Sequence, residues 1–209
     1  MAGDSSFSDR LEAATNRLAQ SDSVLATVIS RVGGCTIRPH SDYFRELVDS
    51  IISQQLSIKA AATIVGRFAQ LGSGEFPTPD EVVATPHEQI RSLGVSNAKS
   101  AALIDLAKHV IEDRLRIHEL EELTNEEIIV ELTDVKGIGE WTAHMFLIFS
   151  LGRLDVLPTG DLGIRKGIMG LYGFDNLPTA PQVTALSERN GWAGAESVAS
   201  WYVWKSIDS

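Results

Sequence analysis

Along most of the chain apolar residues recur at intervals of three and four, the spacing that puts them on one face of an α-helix. The stretches DRLEAATNRLAQ (9–20) and SVLATVISRVG (23–33) both show it. In DYFRELVDSIISQQL (42–56), Phe44, Leu47, Val48, Ile51 and Ile52 share one face. IKAAATIVGRFAQLG (58–72) is rich in small residues suited to close packing and stops at Gly72, and PHEQIRSLG (86–94) predicts a short helix. NAKSAALIDLAKHVIEDRL (97–115) is the longest amphipathic run, and EWTAHMFLIFSLG (140–152) is too apolar for a surface helix. LGIRKGIMGLYG, PQVTALSERNG and AESVASWYVWKS predict the last helices.

Punctuation agrees with periodicity. Thr78 before Pro79 has the order of an N-cap followed by proline in the first turn. Thr124 with Glu127 three residues on has the spacing of a capping box. RLDVLPTGD (153–161) is broken by Pro158 and Gly160. No stretch alternates over a strand's length, so the fold class is all-α, with about ten or more helices.

The chain has 209 residues, 44% hydrophobic and 22% charged, the composition of a globular protein with a substantial core. Its single cysteine, Cys35, excludes a disulfide framework and a cysteine-ligated iron–sulfur cluster within one chain. The first residues carry no basic segment followed by an apolar core, and no apolar run approaches the roughly 20 residues that span a bilayer. The expectation is an intracellular protein, without membrane partners.

A net charge of −10 argues against a nucleic-acid partner, since phosphates reward a basic surface. The charge is unevenly spread, however. Residues 112–131 hold eight carboxylates against two arginines, −6 of the total, leaving −4 for the rest of the chain. An acidic face turned away from a partner leaves other faces near neutral, and the plain reading of the run is a solvated helical surface.

The stretch LTDVKGIGEWTA (132–143) places two glycines around Ile138 immediately before an apolar helix. Glycine permits positive φ and close approach of another backbone. The first amides of the following helix lack intrahelical partners and carry the positive end of its dipole, so Gly137, Ile138, Gly139 and Thr142 can receive a phosphate without a lysine. A bare pair of glycines also fits an ordinary corner with a glycine C-cap. The frame of Leu132, Val135, Ile138 and Ala143 resembles the helix-hairpin-helix motif. In VLPTGDLGIRKG, Asp161 stands at the start of a predicted helix; on its own it reads as an N-cap.

Hairpin, apolar helix and Gly-Asp loop together resemble the helix-hairpin-helix superfamily of DNA glycosylases, most closely its 3-methyladenine DNA glycosylase II branch. GIGEWTAHMFLIFSLGRLDVLPTGDLGIRKG carries the likeness, with SIISQQLSIKAA and SWYVWK in support, from about Tyr43 to Lys205. The resemblance implies two helical lobes, 42–153 with the hairpin and 1–41 plus 154–209 with the aspartate, and a DNA-binding cleft between them. It implies Asp161 as the catalytic carboxylate that stabilises an oxocarbenium-like sugar. Gln55 would plug the vacancy left by a flipped base while Leu56 wedges the neighbouring step; the bland alternative is that Leu56 is core. The base pocket would use Trp141, Trp204, Met145 and Leu162, with Lys59 neutralising a phosphate. Aromatics on a terminal helix also pack cores, so Trp204 admits both readings and Trp201 favours packing. A sodium or potassium ion held by the carbonyls of Thr133, Val135 and Ile138 is implied, and no other cofactor.

Where base-excising lyases carry a Schiff-base lysine, this chain has Trp141, implying a monofunctional enzyme that leaves an abasic site. The sequence departs from some relatives at Ser57, where they have a histidine, and at Met145 and Leu162, where they have tyrosines. The expected activity is hydrolysis of the N-glycosidic bond of alkylated purines, 3-methyladenine first and 7-methylguanine second, by a monomer on double-stranded DNA. The setting would be base-excision repair, cytoplasmic in a prokaryote and nuclear in a eukaryote. A glycosylase for deaminated or oxidised bases, and a non-catalytic DNA-binding protein, are the alternatives. His40, His87, His109, His118 and His144 lack metal-ligand spacing and are expected at the surface or at caps.

Overall fold

The computed structural model describes residues 2–207, all helical or loop, with no strand among them. Helices α1 (Ala2–Ser21) and α2 (Ser23–Val32) are followed by α3 (Tyr43–Ser53) and α4 (Ile58–Phe68). Then come α5 (Pro79–Ala84), α6 (His87–Ser92), α7 (Asn97–Ile111) and α8 (Asn125–Asp134). Helix α9 (Glu140–Met145) runs into a π-helical turn at Phe146–Ser150. The last three are α10 (Leu162–Tyr172), α11 (Ala180–Arg189) and α12 (Glu196–Ile207). The predicted capping box of Thr124 with Glu127 forms, and the predicted N-cap Thr78 also forms one, with Glu81. The longest helix is α1 rather than the predicted 97–115 run, which stops at Ile111 ahead of a left-handed Asp113.

The chain divides into two compact units, residues 40–146 and residues 1–39 with 147–209. The later boundary precedes the predicted 153/154 division. Gly152 explains it: a Cβ there would sit 2.7 Å from the Phe7 ring and 3.2 Å from Pro39, so the end of the π-turn packs on the N-terminal segment.

In the 40–146 unit, α3 buries Phe44, Leu47, Val48, Ile51 and Ile52 as the periodicity requires. Each such side chain removed from water is worth about 1.5–3 kcal/mol. Helix α3 packs on α4 and α7, α7 also meets α5 and α6, and α8 meets α9.

In the other unit, α12 packs on α10, α2 and α1. Asp22, 1% exposed, organises this unit. Its Oδ1 caps α2 by accepting from the amides of Val24 and Leu25, both at 3.0 Å. Its Oδ2 accepts from the Tyr172 hydroxyl at 2.6 Å and the Trp192 indole at 2.8 Å. Burial, then the bond and charge of Asp22, push the Tyr172 hydroxyl far above its usual range.

Candidate active site

Asp161 is the N-cap of α10. Its approach is fixed by backbone turns, Thr159 N to Leu157 O at 2.8 Å and Asp161 N to Pro158 O at 2.9 Å. Ser197 fastens the same loop to the first turn of α12. The Val156 amide donates to its Oγ at 3.1 Å, and its own amide donates to Leu154 O at 3.0 Å. Asp161 Oδ1 accepts from the Ile164 amide at 2.7 Å, the capping bond the sequence predicts, and also from Trp204 Nε1 at 2.9 Å. The half-buried Trp204 ring lies 5.9 Å from Phe149 at a tilt of 33°. Phe149 belongs to the π-turn, a feature frequent at functional sites.

Two glycines make this approach possible. A Cβ on Gly163 would sit 3.0 Å from Asp161 Oδ1 and 3.0 Å from Trp204 Cδ1. One turn on, a Cβ on Gly167 would sit 2.5 Å from Val203 Cγ1. Sequence reasoning passed over both, although their four-residue spacing after Asp161 was the available signal. Leu162, beside Asp161, is exposed. Trp201 is buried edge-on against Tyr202 at 4.9 Å, a packing role. Arg165 donates to Pro178 O at 2.6 Å and so braces the loop before α11.

In the 40–146 unit the hairpin takes its expected form. Leu132, Val135, Ile138 and Ala143 are buried anchors. Gly137 has φ +81, and a Cβ there would press on Ala102 at 3.2 Å, so conformation and packing both ask for glycine. Gly139 differs: its φ is −101 and a Cβ would meet nothing within 4 Å. Neither strain nor packing within the protein demands glycine there, which leaves open room beside the first turn of α9. The Ile138 amide donates to Val135 O at 3.1 Å and is therefore spent inside the turn, a correction to its expected place among the phosphate donors. Thr142 has a buried side chain, which leaves its backbone amide as the group that reading would use. Trp141 is 54% exposed and Met145 half-buried.

The loop between α3 and α4 carries Gln55 and Leu56. Gln55 is exposed with φ +59, a costly conformation for a residue with a side chain. Leu56 is 40% exposed and Ile58, on the first turn of α4, 91% exposed. Leu56 is thus not core, and Ile58 is an outward apolar group that the helical spacing alone would have placed with the buried Ala61 and Ile64. Lys59 is exposed beside a surface recess of about 410 Å³ bounded also by Ser57, Thr63 and Arg67.

The histidines need one correction. His109 is 2% exposed: its ring lies 2.7 Å from Asp105 O and 2.9 Å from Asp134 Oδ2. Asp105 in turn accepts the Lys136 amide at 2.9 Å, which fastens the hairpin to α7. Burial alone would raise the Asp105 pKa, but Lys136 and His109 outweigh it and hold the carboxyl below its ordinary value.

Residues 48–191 match the family model described as HhH-GPD superfamily base excision DNA repair protein. DNA-3-methyladenine glycosylase 1 of Schizosaccharomyces pombe is 41% identical over 165 residues, covering 78% of this chain and 72% of the relative. A crystal structure of a DNA-3-methyladenine glycosidase from Bacillus halodurans superposes with a TM-score of 0.85 at 38% identity, covering 94% of this chain and 89% of that one. A Schizosaccharomyces pombe 3-methyladenine DNA glycosylase in complex with abasic DNA superposes at 0.77 with 36% identity, covering 94% and 97%.

Proposed function

The chain belongs to the HhH-GPD superfamily of base excision DNA repair proteins and to its DNA-3-methyladenine glycosylase family, and on that premise we propose that it hydrolyses the N-glycosidic bond of N-alkylated purines in double-stranded DNA, 3-methyladenine foremost, without cutting the strand. The observation that carries the mechanism is the fixed carboxylate of Asp161, capping α10 and tied to Trp204 at 2.9 Å.

An N-alkylated purine is cationic. When the bond from C1′ breaks, both electrons go to the base, which departs neutral, and the positive charge passes to the sugar. A carboxylate held beside C1′ stabilises that charge without reorganising, the form of catalysis that contributes most in such sites. Water then adds to C1′ and loses its proton, leaving an abasic site. Trp141 offers a largely exposed π face to a cationic base, an attraction worth about 0.5–2 kcal/mol.

Duplex opening falls to the α3–α4 loop, where Gln55 and Leu56 are exposed as insertion requires. Gly139 gives a phosphate room to approach the amides of the first α9 turn. A monovalent cation would be held at the hairpin by backbone oxygens. Thr133, Val135 and Ile138 offer neutral carbonyls, and Lys136 directs its ammonium to Asp105 at 3.2 Å. Such an ion would bridge the hairpin to a DNA phosphate.

Trp141 lacks the amine that a lyase uses on C1′. A duplex with a single alkylated purine, incubated with the protein, is therefore expected to stay unbroken until heated in alkali, and borohydride is expected to trap no protein–DNA adduct. Breakage before alkali, or a trapped adduct, overturns the hydrolytic reading.

A further inference from the structure

We propose that Lys99 and Gln54 are positioning residues that hold the Ser53–Ser57 loop in its inserting conformation and join it to the hairpin, so that opening the duplex and gripping the strand are done by one rigid element. This rests on the reading of Gln55 and Leu56 as the residues that enter the duplex.

Helix α3 ends at Ser53, and its last carbonyls have no intrahelical donors. Lys99, in the first turn of α7, fills that need: its Nζ donates to Ile52 O at 2.7 Å and to Gln54 O at 2.5 Å. A cation at a helix C-terminus is favourable, but this one is partly stripped of water, and desolvation lowers its pKa. No carboxylate pairs with it among the described residues. Here both bonds go to the backbone on either side of Ser53, immediately before the left-handed Gln55.

That conformation needs support from its surroundings. Lys99 holds the carbonyl just before Gln55, and the Leu56 amide closes the turn on Ser53 O at 3.1 Å. The Gln54 side chain extends the brace, donating from Nε2 to Gly137 O at 2.9 Å. One residue thus fixes the backbone of the inserting loop to α7, and its neighbour fixes the loop to the glycine turn. The polar side chain of Gln54 faces the hairpin while Gln55 and Leu56 face solvent. With Lys99 or Gln54 removed, the loop relaxes and the two exposed residues lose their common register with the hairpin.

The experiment uses the full chain and a duplex with 2-aminopurine placed beside one alkylated purine; its emission rises when the neighbouring base leaves the stack. At saturating protein, Lys99→Met and Gln54→Ala are expected to reduce that rise and to slow single-turnover excision about tenfold or more, with Lys99→Arg recovering much of both. Melting curves confirm that the variants are folded, and Gln54→Ala, which leaves the α3 end intact, guards against a simple loss of structure in Lys99→Met. Leu56→Ala serves as the reference for the inserting loop. An unaltered emission rise in Lys99→Met and Gln54→Ala, with Leu56→Ala diminished, overturns the positioning role alone. An unaltered rise in Leu56→Ala as well overturns the insertion reading and the positioning role with it.

Discussion

Asp161 is both a helix cap and the proposed catalytic group, and one oxygen shows why these roles coexist. Oδ1 takes the Ile164 amide and the Trp204 indole, which fixes the plane of the carboxylate by bonds from two helices. The cap is the means by which the charge is held still. Trp204→Phe keeps an aromatic ring and deletes the indole donor. A hydrogen bond to a charged acceptor is worth about 1.5–3 kcal/mol, so single-turnover excision is expected to fall by roughly ten- to a hundredfold. An unchanged rate would show that the indole bond does not orient the carboxylate. At this scale the cap at Asp161 was legible from the sequence, because an aspartate after a Pro/Gly loop and before a helix reads as an N-cap, while its catalytic role was implied only by the resemblance. The Trp204 bond was not legible, because nothing in a one-dimensional pattern says which face of a terminal helix meets which loop. His109 was misread for a related reason: its ring is met by Asp134 of α8, while Asp105 belongs to its own helix α7.

Among elements, the pairing of α10 with α12 builds the catalytic half. Gly163 and Gly167 form a bare strip on α10, and α12 lies close enough over it that any side chain at 167 would strike Val203. Overpacking of this kind costs about 1–3 kcal/mol and displaces the neighbour. Gly167→Val is therefore expected to lower the melting temperature and, by moving α12, to slow excision. Melting curves and single-turnover rates measure the two effects, and a stable variant of full activity would contradict the account. Helix positions were largely readable, since spacing and caps are local: α5 and α8 begin where Thr78 and Thr124 foretell. What local pattern missed were the exceptions made for contact with something else. Ile58 follows the apolar spacing of α4 and yet points outward, and Gly139 has room where no room is needed for folding.

For the molecule as a whole, the acidic balance reads differently once side chains are placed. Part of the 112–131 run is scaffold: Arg116 pairs with Glu131 at 2.6 Å and Arg114 with Glu112 at 2.8 Å. The two compact units were legible in outline from the resemblance, while their later boundary depends on how Gly152 packs, which only tertiary structure reveals. One carboxyl should leave a mark on global stability. Burial, with Glu46 and Asp42 nearby and Arg45 opposing, pushes Asp49 up to about 6, and its Oδ1 is buried without a hydrogen-bond partner among the described residues. A carboxyl whose pKa is raised by folding adds stability at pH values below its ordinary range, and that stability is lost as pH rises through about 6. Asp49→Asn should therefore flatten the fall between pH 4 and 6 and raise stability at pH 7 by about 1 kcal/mol, a figure reduced for solvent screening of a half-buried group. Denaturant melts across that range test it, and an identical pH profile in the variant would refute it.

The central claim is that the charge on Asp161, rather than its capping bonds, drives base removal. Asn at this position can still accept from Ile164 and Trp204, so the fold and the helix cap should survive. The decisive measurement is single-turnover excision of an alkylated purine from duplex DNA by Asp161→Asn, with the dissociation constant of the same duplex determined alongside. The expected result is a fall in rate of about a hundred- to a thousandfold, with affinity held within about tenfold. A rate within a few fold of the native protein, or a loss explained by weakened binding, would contradict it.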